Sequence, residues 1–161
     1  MAAFAVFSED TAAPALEYFN GFHDGFIQRI AFESQDRVHA DLSQSCTGIF
    51  DVIIDFAHYN YGNGAEPFHP HDQVVHAEFR NVQDILVDFS EAFLGNTIIR
   101  LSIVPASRRK GGQLEREPCL GLLLARHYYV EDQRRYELKE SRMFTFTDAT
   151  FLEKATDPPK R

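Results

Sequence analysis

Three histidines and an aspartate lie close together near the middle of the chain: His69, His71, Asp72 and His76. Imidazole is a favoured ligand of zinc and similar divalent ions, and two histidines one residue apart in a loop can turn toward one ion. A third ligand would complete an open site of the kind that activates water. The cluster is therefore a candidate metal site, and it would make the protein a small metal-dependent enzyme.

Two features of the same stretch oppose that interpretation. Pro70 restricts the backbone between the two loop histidines. The order also departs from the His-x-His-x-Asp-His motif of metallo-β-lactamase-like hydrolases, because Gln73 and Val74 stand where that motif has Asp and His. Loop histidines that bind no metal are the alternative, and we assign no cofactor from the sequence.

Other catalytic signatures are missing from the sequence. No serine lies in a Gly-x-Ser-x-Gly elbow, no glycine-rich phosphate loop follows a strand, and neither Cys46 nor Cys119 has the context of a nucleophile. The pair His23-Asp24 also occurs in His-Asp phosphohydrolases, but those are all-helical and need further ligands. We expect Asp24 to accept backbone N–H bonds in a turn instead.

The segment 59–72 is the longest predicted loop of the first half of the chain. It concentrates Gly, Asn and Pro, which favour positive or restricted φ angles, and long ordered loops often carry function. We therefore predict that it binds a partner, through residues Tyr59, Tyr61, Phe68, His69, His71 and Asp72.

Length and composition indicate one β-rich domain spanning 1–161. A chain of 161 residues can bury a sufficient core, and fifteen Phe and six Tyr suit the pleated surface of a sheet. Two cysteines are too few for a disulfide framework, so we expect reduced, buried thiols. No leader peptide or membrane-spanning run is visible, which predicts a cytoplasmic protein. We expect residues 1–12 and 155–161 to be flexible.

Charge is distributed unevenly along the chain. Residues 1–94 hold fifteen acids and three arginines, a net charge of −12, whereas residues 95–161 hold nine acids and thirteen bases, a net charge of +4. Such asymmetry can mark an interaction surface. Strands from the two halves can also pair in one sheet, in which case the charges meet and neutralise each other.

Two-residue alternation of apolar and polar side chains predicts most of the fold. The predicted strands cover 26–33, 38–43, 50–57, 74–80, 97–104, 119–130, 134–139 and 143–151. In the first of them, Phe26, Ile30 and Phe32 share one face with Gln28, whereas Arg29 and Glu33 lie on the other. Pro14 is predicted to lie in the first turn of a short helix that stops at Gly21, and a strand that gives way to a helix is predicted over 82–96.

These elements predict a mainly β fold, either an antiparallel two-sheet sandwich or a partly open barrel, with one or two short helices. Within strand 50–57, Asp51 and Asp55 share a face at roughly 13 Å spacing, which is too far for one metal ion and suits a solvated surface. His76 and Glu78 share the polar face of strand 74–80.

Two short motifs resemble a known group of proteins. The motif Phe-His-Asp-x-x-Ile occupies residues 22–27, and residues 75–82 contain an apolar position followed by Phe79, Asn81 and Val82. This combination is similar to small bacterial β-rich proteins of unknown function, some of which are predicted immunity proteins of polymorphic toxin systems. The resemblance implies a binding role and carries no catalytic residue.

A basic stretch offers a different partner. Arg108, Arg109 and Lys110 are predicted to lie in a loop, and Arg134 and Arg135 stand near three tyrosines, a combination found in nucleic-acid-binding proteins. The net charge of −8 opposes attraction to a phosphate backbone, so we do not expect a nucleic acid partner.

The leading hypothesis from the sequence is a non-enzymatic binding protein, immunity-type in character, that presents an acidic surface to a basic protein partner. The alternative is a small metal-dependent enzyme using His69, His71 and His76. A third interpretation is a subunit that forms a homo-oligomer through an uncovered sheet edge or aromatic face.

Overall fold

A computed structural model describes residues 2–58, 73–86, 97–110 and 114–154. The described residues form ten strands, one α-helix and two short 3-10 helices. The strands are β1 Ala3–Val6, β2 Phe26–Ser34, β3 Arg37–Val38, β4 Gln44–Ser45, β5 Phe50–His58, β6 Gln73–Val82, β7 Arg100–Arg109, β8 Arg116–Val130, β9 Arg135–Phe146 and β10 Asp148–Lys154. Helix α1 is Glu9–Tyr18, and the 3-10 helices are Asn20–Phe22 and Glu131–Gln133.

The strands form two main antiparallel sheets and a small hairpin. The five-stranded sheet has the order β1-β10-β6-β5-β2, the three-stranded sheet has the order β7-β8-β9, and β3 pairs with β4. Gln83, just beyond β6, forms a bridge with Thr145 of β9 and so joins the main sheets. The prediction of a mainly β, antiparallel fold is confirmed, and the strand orders of the described residues close no barrel.

One aromatic core fills the space between the main sheets. Phe79 of β6 packs edge-on against Phe144 and Phe146 of β9, with both ring centroids 5.1 Å away, and against Phe151 of β10 at 5.6 Å. All four rings are fully buried. Burying a phenylalanine side chain contributes about 1.5–3 kcal/mol, so this cluster is a principal reason that the two sheets stay together.

Helix α1 begins earlier than the sequence analysis predicted. Ser8 caps it by accepting a hydrogen bond from the Thr11 N–H at 3.2 Å, and Thr11 Oγ1 in return accepts the Ser8 N–H at 2.9 Å. The carboxylates of Glu9 and Asp10 lie in the first turn, where they interact favourably with the positive end of the helix dipole. The prediction that Pro14 lies in the first turn is wrong: Pro14 lies inside the helix.

The turn from α1 into β2 confirms the predicted stop at Gly21, which has a φ of 58°. Phe22 follows with a φ of 59°, a conformation that is rare for a bulky residue, and its side chain is fully buried. Its ring packs against Phe19 and Phe56 with centroids 5.2 and 4.7 Å apart. Core packing therefore holds the strained turn in place.

A bulge in β2 changes which of its side chains face the core. The pairing register with β5 shifts between Ile27 and Arg29, so one extra residue lies between them. As a result Ile27, Ile30 and Phe32 pack on the core while Phe26 is exposed. The prediction that Phe26 shares the face of Ile30 and Phe32 is wrong, because simple alternation cannot anticipate an inserted residue.

Other boundaries also differ from the prediction. The single strand predicted over 38–43 is instead a turn between β3 and β4, with Leu42 at a φ of 67°. Strand β7 passes through Pro105 and ends at Arg109, which places Arg108 and Arg109 in a strand and not in a basic loop. Proline is tolerated there because β7 lies at the edge of its sheet. The two strands predicted over 134–151 divide at 147, between β9 and β10.

Both ends of the chain were expected to be flexible. Within the range 1–12, the chain forms β1, which pairs with β10, and then begins α1. Val6 in this range is fully buried. Residues 155–161 lie outside the described residues, as does the helix predicted around Ser90.

Gly25 gives a direct test of the turn before β2. A Cβ atom there would lie 2.8 Å from the Ala57 carbonyl oxygen and 2.9 Å from that of Phe22, and backbone atoms cannot move aside easily. We expect Gly25→Ala to lower the free energy of unfolding by about 1–3 kcal/mol in urea denaturation. Gly121→Ala is the control, because its Cβ would meet only side-chain atoms at 3.5 Å or more. Equal effects of the two substitutions would contradict the steric explanation.

Candidate functional site

Most of the residues that the sequence analysis selected lie outside the described part of the chain. Tyr59, Tyr61, Phe68, His69, His71 and Asp72 all belong to the undescribed range 59–72. Partner binding by that loop stays a prediction. His76 is the one member of the histidine cluster that the structure describes.

His76 lies on the outer face of the five-stranded sheet between two carboxylates. Its Nδ1 is 2.5 Å from Asp55 Oδ1, and its Nε2 is 3.2 Å from Glu78 Oε1. Arg29 approaches the other oxygen of Asp55 at 3.4 Å. Each ring nitrogen therefore has a carboxylate oxygen within hydrogen-bonding distance, and a metal ion could reach either nitrogen only by displacing that carboxylate. Among the described residues, no group of three or more His, Cys, Asp and Glu could hold one.

The network controls the charge of Asp55. Burial alone would raise the pKa of its carboxyl, but the hydrogen bond and charge of His76, helped by Arg29, hold that pKa below the usual value. Asp55 therefore stays ionised, although only 17% of its side chain is exposed. The geometry suits a fixed negative charge and not a group that exchanges protons near neutral pH.

Four acids surround an apolar side chain on this same face. Strand pairing places Glu33 of β2 directly opposite Asp51 of β5, and Ile53 of β5 directly opposite Glu78 of β6. Asp55 follows Ile53 by two residues on the same side of β5. We call Glu33, Asp51, Asp55 and Glu78, with Ile53 at their centre, the acidic face.

The charges of the acidic face are only partly compensated. Asp51 accepts hydrogen bonds from Gln35 Nε2 at 2.9 Å and from the Asn81 N–H at 3.1 Å, and neither donor carries a charge. Glu33 is exposed and has no ion-pair partner among the described residues. Arg29 is the arginine that contacts the cluster. Four carboxylates thus face one guanidinium, the His76 ring and, at longer range, the Lys154 ammonium, whose charge also lowers the pKa of Asp55. Further along the sheet, β10 carries both signs of charge.

Two-residue alternation identifies the members of the acidic face but not the face itself. Alternation correctly placed Asp51 and Asp55 on one side of β5, and His76 and Glu78 on one side of β6. Glu33 was assigned to the polar side of β2. The pairing of β2, β5 and β6 in one register brings them together, and no local pattern in the sequence encodes that register.

A second polar group lies inside the protein. His58 ends β5 and is 2% exposed, and its ring packs edge-on against Phe19 at 5.7 Å and Phe22 at 5.5 Å. Neither ring nitrogen has a hydrogen-bond partner among the described residues. Glu153 is also buried and accepts a hydrogen bond from the Tyr18 hydroxyl at 3.3 Å. Burial and the adjacent Glu153 carboxylate raise the pKa of Tyr18.

The remaining sequence candidates are the His23-Asp24 pair and the two cysteines. The Asp24 carboxylate lies 3.1 Å from His23 Nδ1, and both side chains are about half exposed. The described contact of the Asp24 carboxylate is therefore with the neighbouring His23 ring. Cys119 is buried, and burial raises the pKa of its thiol, which disfavours the reactive thiolate. Cys46 is exposed, so the prediction that both thiols are buried is wrong for Cys46.

Comparison of the chain with protein-family models, with curated proteins and with solved structures gave no match. None of the helices that the structure describes is long and apolar enough to cross a membrane.

The acidic face predicts an unusual effect on stability. Like charges directly opposite each other in a sheet are destabilising, so Glu33→Gln should raise the free energy of unfolding by about 0.2–1 kcal/mol. The gain should shrink as salt screens the repulsion. Glu78→Gln is the comparison, because Glu78 contacts His76 and its loss should bring no gain. Equal gains in both variants would show that general acidity, and not the Glu33–Asp51 pair, is responsible.

His58 predicts how stability depends on pH. Burial lowers the pKa of its imidazole below the usual value, against the opposing influence of the Phe19 backbone and Glu153. The folded protein therefore keeps His58 neutral where the unfolded chain takes up a proton. The contribution of neutral His58 to the free energy of unfolding is fully present above the unfolded-state pKa of about 6.5. It falls as the pH drops toward the folded-state pKa, by at most about 1.4 kcal/mol per pH unit.

The test compares urea denaturation at about pH 7.5 and pH 5 for the wild type and His58→Phe, which suits the aromatic surroundings. The decline in stability should be smaller in His58→Phe. His39→Asn, at an exposed position, should keep the wild-type decline. Identical pH profiles for wild type and His58→Phe would show that His58 is not the group responsible.

Proposed function

We propose that the protein is a non-enzymatic binding protein whose acidic face receives a basic protein partner. The observation that carries the proposal is the direct pairing of Glu33 with Asp51 across β2 and β5. This arrangement costs stability in the free protein. A cationic side chain placed over the pair would remove that cost, so the arrangement favours a basic partner.

The composition of the acidic face supports the same role. Ile53 is half-buried at its centre, and the carboxylates of Glu33, Asp51, Asp55 and Glu78 surround it. An apolar centre within a polar rim is the usual anatomy of a protein interface. The surrounding charge would act mainly on the rate of association and on the choice of partner. His76 fixes the positions of Asp55 and Glu78 between which it lies.

An immunity protein that captures a basic toxin in the bacterial cytoplasm is the form of this function that we favour. The resemblance of residues 22–27 and 75–82 to predicted immunity proteins supports it, together with the −12 charge of residues 1–94. The alternative, a metal-dependent enzyme using His69, His71 and His76, would need His76 to release one of its carboxylate partners, because a metal ion is bound through a single ring nitrogen. Metal analysis of the untreated protein separates the two proposals.

The binding test uses immobilised protein and extract from the source cells. Wild-type protein should retain a basic protein that elutes as salt rises, and Glu33→Lys/Glu78→Lys should retain much less of it. Glu131→Lys/Asp132→Lys is the matched control, because it makes the same change of charge at exposed positions beyond β8. Melting curves establish that both variants fold.

Two results would contradict the proposal. Equal loss of binding in both double variants would mean that overall charge, and not the acidic face, attracts the partner. Retention that does not depend on salt, or retention of no basic protein at all, would show that the acidic face does not bind a basic partner through charge.

A further inference from the structure

A cationic cleft lies where the three-stranded sheet meets the segment after β6. It has a volume of about 670 Å³ and is lined by four arginines from three strands and by one acid, Asp84. The arginines are Arg108 and Arg109 of β7, Arg116 of β8 and Arg142 of β9. We call this the arginine cleft. It is unexpected in a chain with a net charge of −8.

One arginine of the cleft is structural. Arg108 is 4% exposed, donates to Glu117 Oε1 at 2.7 Å and donates a second, short hydrogen bond to the Asn81 carbonyl oxygen. Its charge is therefore neutralised, and it ties β7 and β8 to the end of β6. Arg108 forms a wall of the cleft and is not available to a ligand.

The other three arginines have no anionic partner among the described residues. Strand pairing places Arg109 directly opposite Arg116, a like-charge pair that is unfavourable in the absence of an anion. The Arg116 guanidinium is held by Ser107, with Nε 3.0 Å from the Ser107 hydroxyl and a terminal nitrogen 2.8 Å from its carbonyl oxygen. Arg142 projects from the neighbouring strand β9. These three arginines all line the cleft, and the Arg116 guanidinium is already oriented.

An apolar cleft adjoins the arginine cleft and shares Leu86 and Arg142 with it. Its volume is about 600 Å³, and it is otherwise lined by Val104, Pro105, Ala106, Leu123 and Ser141. The Arg142 side chain passes over Gly121, where a Cβ atom would make an ordinary contact with Arg142 Cδ at 3.5 Å. The Arg142 side chain can therefore lie across the sheet, at the boundary between a charged and an apolar half of one groove.

We propose that this groove binds a small anionic amphiphile, with a phosphate or carboxylate head at Arg109, Arg116 and Arg142 and an apolar chain along Val104 and Leu123. Guanidinium groups bind both kinds of head through paired, charge-assisted hydrogen bonds. No aromatic ring lines either cleft in the described part of the chain, which disfavours a stacked nucleobase. The ligand is a free molecule and not a membrane lipid, because its chain lies on the protein.

The test is calorimetric titration with octyl phosphate, below its micelle concentration, beside inorganic phosphate. Each buried methylene contributes up to about fourfold in affinity, so octyl phosphate should bind at least about tenfold more tightly than inorganic phosphate. Arg109→Gln/Arg142→Gln should lower the affinity for octyl phosphate by about tenfold or more. Arg134→Gln/Arg135→Gln, with the same change of charge at exposed positions, should bind like the wild type.

Further variants separate the two halves of the groove and the two faces of the protein. Leu123→Asn should lower the affinity for octyl phosphate without changing the affinity for inorganic phosphate. Glu33→Lys/Glu78→Lys should bind octyl phosphate at least as well as the wild type, because the acidic face plays no part in this site.

Three results would overturn the proposal. Equal affinity for octyl phosphate and inorganic phosphate would show that the apolar cleft does not bind the ligand chain. Unchanged binding by Arg109→Gln/Arg142→Gln would show that these arginines do not hold the head. Binding to vesicles containing phosphatidic acid, without binding to octyl phosphate, would mean that the ligand is a membrane surface.

Discussion

Burial of the inner faces of β5 and β6 is the constraint on which the rest of the structure depends. Val52, Ile54 and Phe56 of β5 and Phe79 of β6 are fully removed from water, and Phe79 joins the core of the second sheet. Because side chains alternate along a strand, a one-residue slip would expose this entire apolar set. The same requirement fixes the opposite faces, and so it also fixes which acids lie beside one another.

The uneven charge of the chain is distributed between the two main sheets. The acidic half supplies β2, β5 and β6, which are neighbours, and the basic half supplies all of β7, β8 and β9. Strands of the two halves meet at β10, which pairs with β1 and β6, and at the bridge between Gln83 and Thr145. The charges therefore do not neutralise each other across a common sheet as they would if strands of the two halves alternated. Both main sheets contain like-charge pairs: Glu33 with Asp51 in the first, and Arg109 with Arg116 and Arg126 with Lys139 in the second.

Local patterns predicted the strands well where both faces differ clearly in polarity. The core face of β5 and of β6 followed directly from alternation, and Gly21 correctly marked the exit from α1. The predictions failed where a signal was overridden or unnoticed. The strand predicted over 97–104 stops before Pro105 although an edge strand tolerates proline, and the predictions missed the Ser8 and Thr11 cap that starts α1. The bulge after Ile27 reversed the face of Phe26, since an inserted residue leaves no periodic trace.

The sequence by itself determined the β class, the inward and outward faces of β5 and β6, and the separation of acidic from basic residues along the chain. Those properties depend on near neighbours, whose polarity and backbone preferences are local. Only the tertiary structure decided that Glu33 lies opposite Asp51, that His76 lies between Asp55 and Glu78, and that Arg142 joins Arg109 and Arg116 around one cleft. Strand order and register set these contacts, and both depend on how the whole core packs.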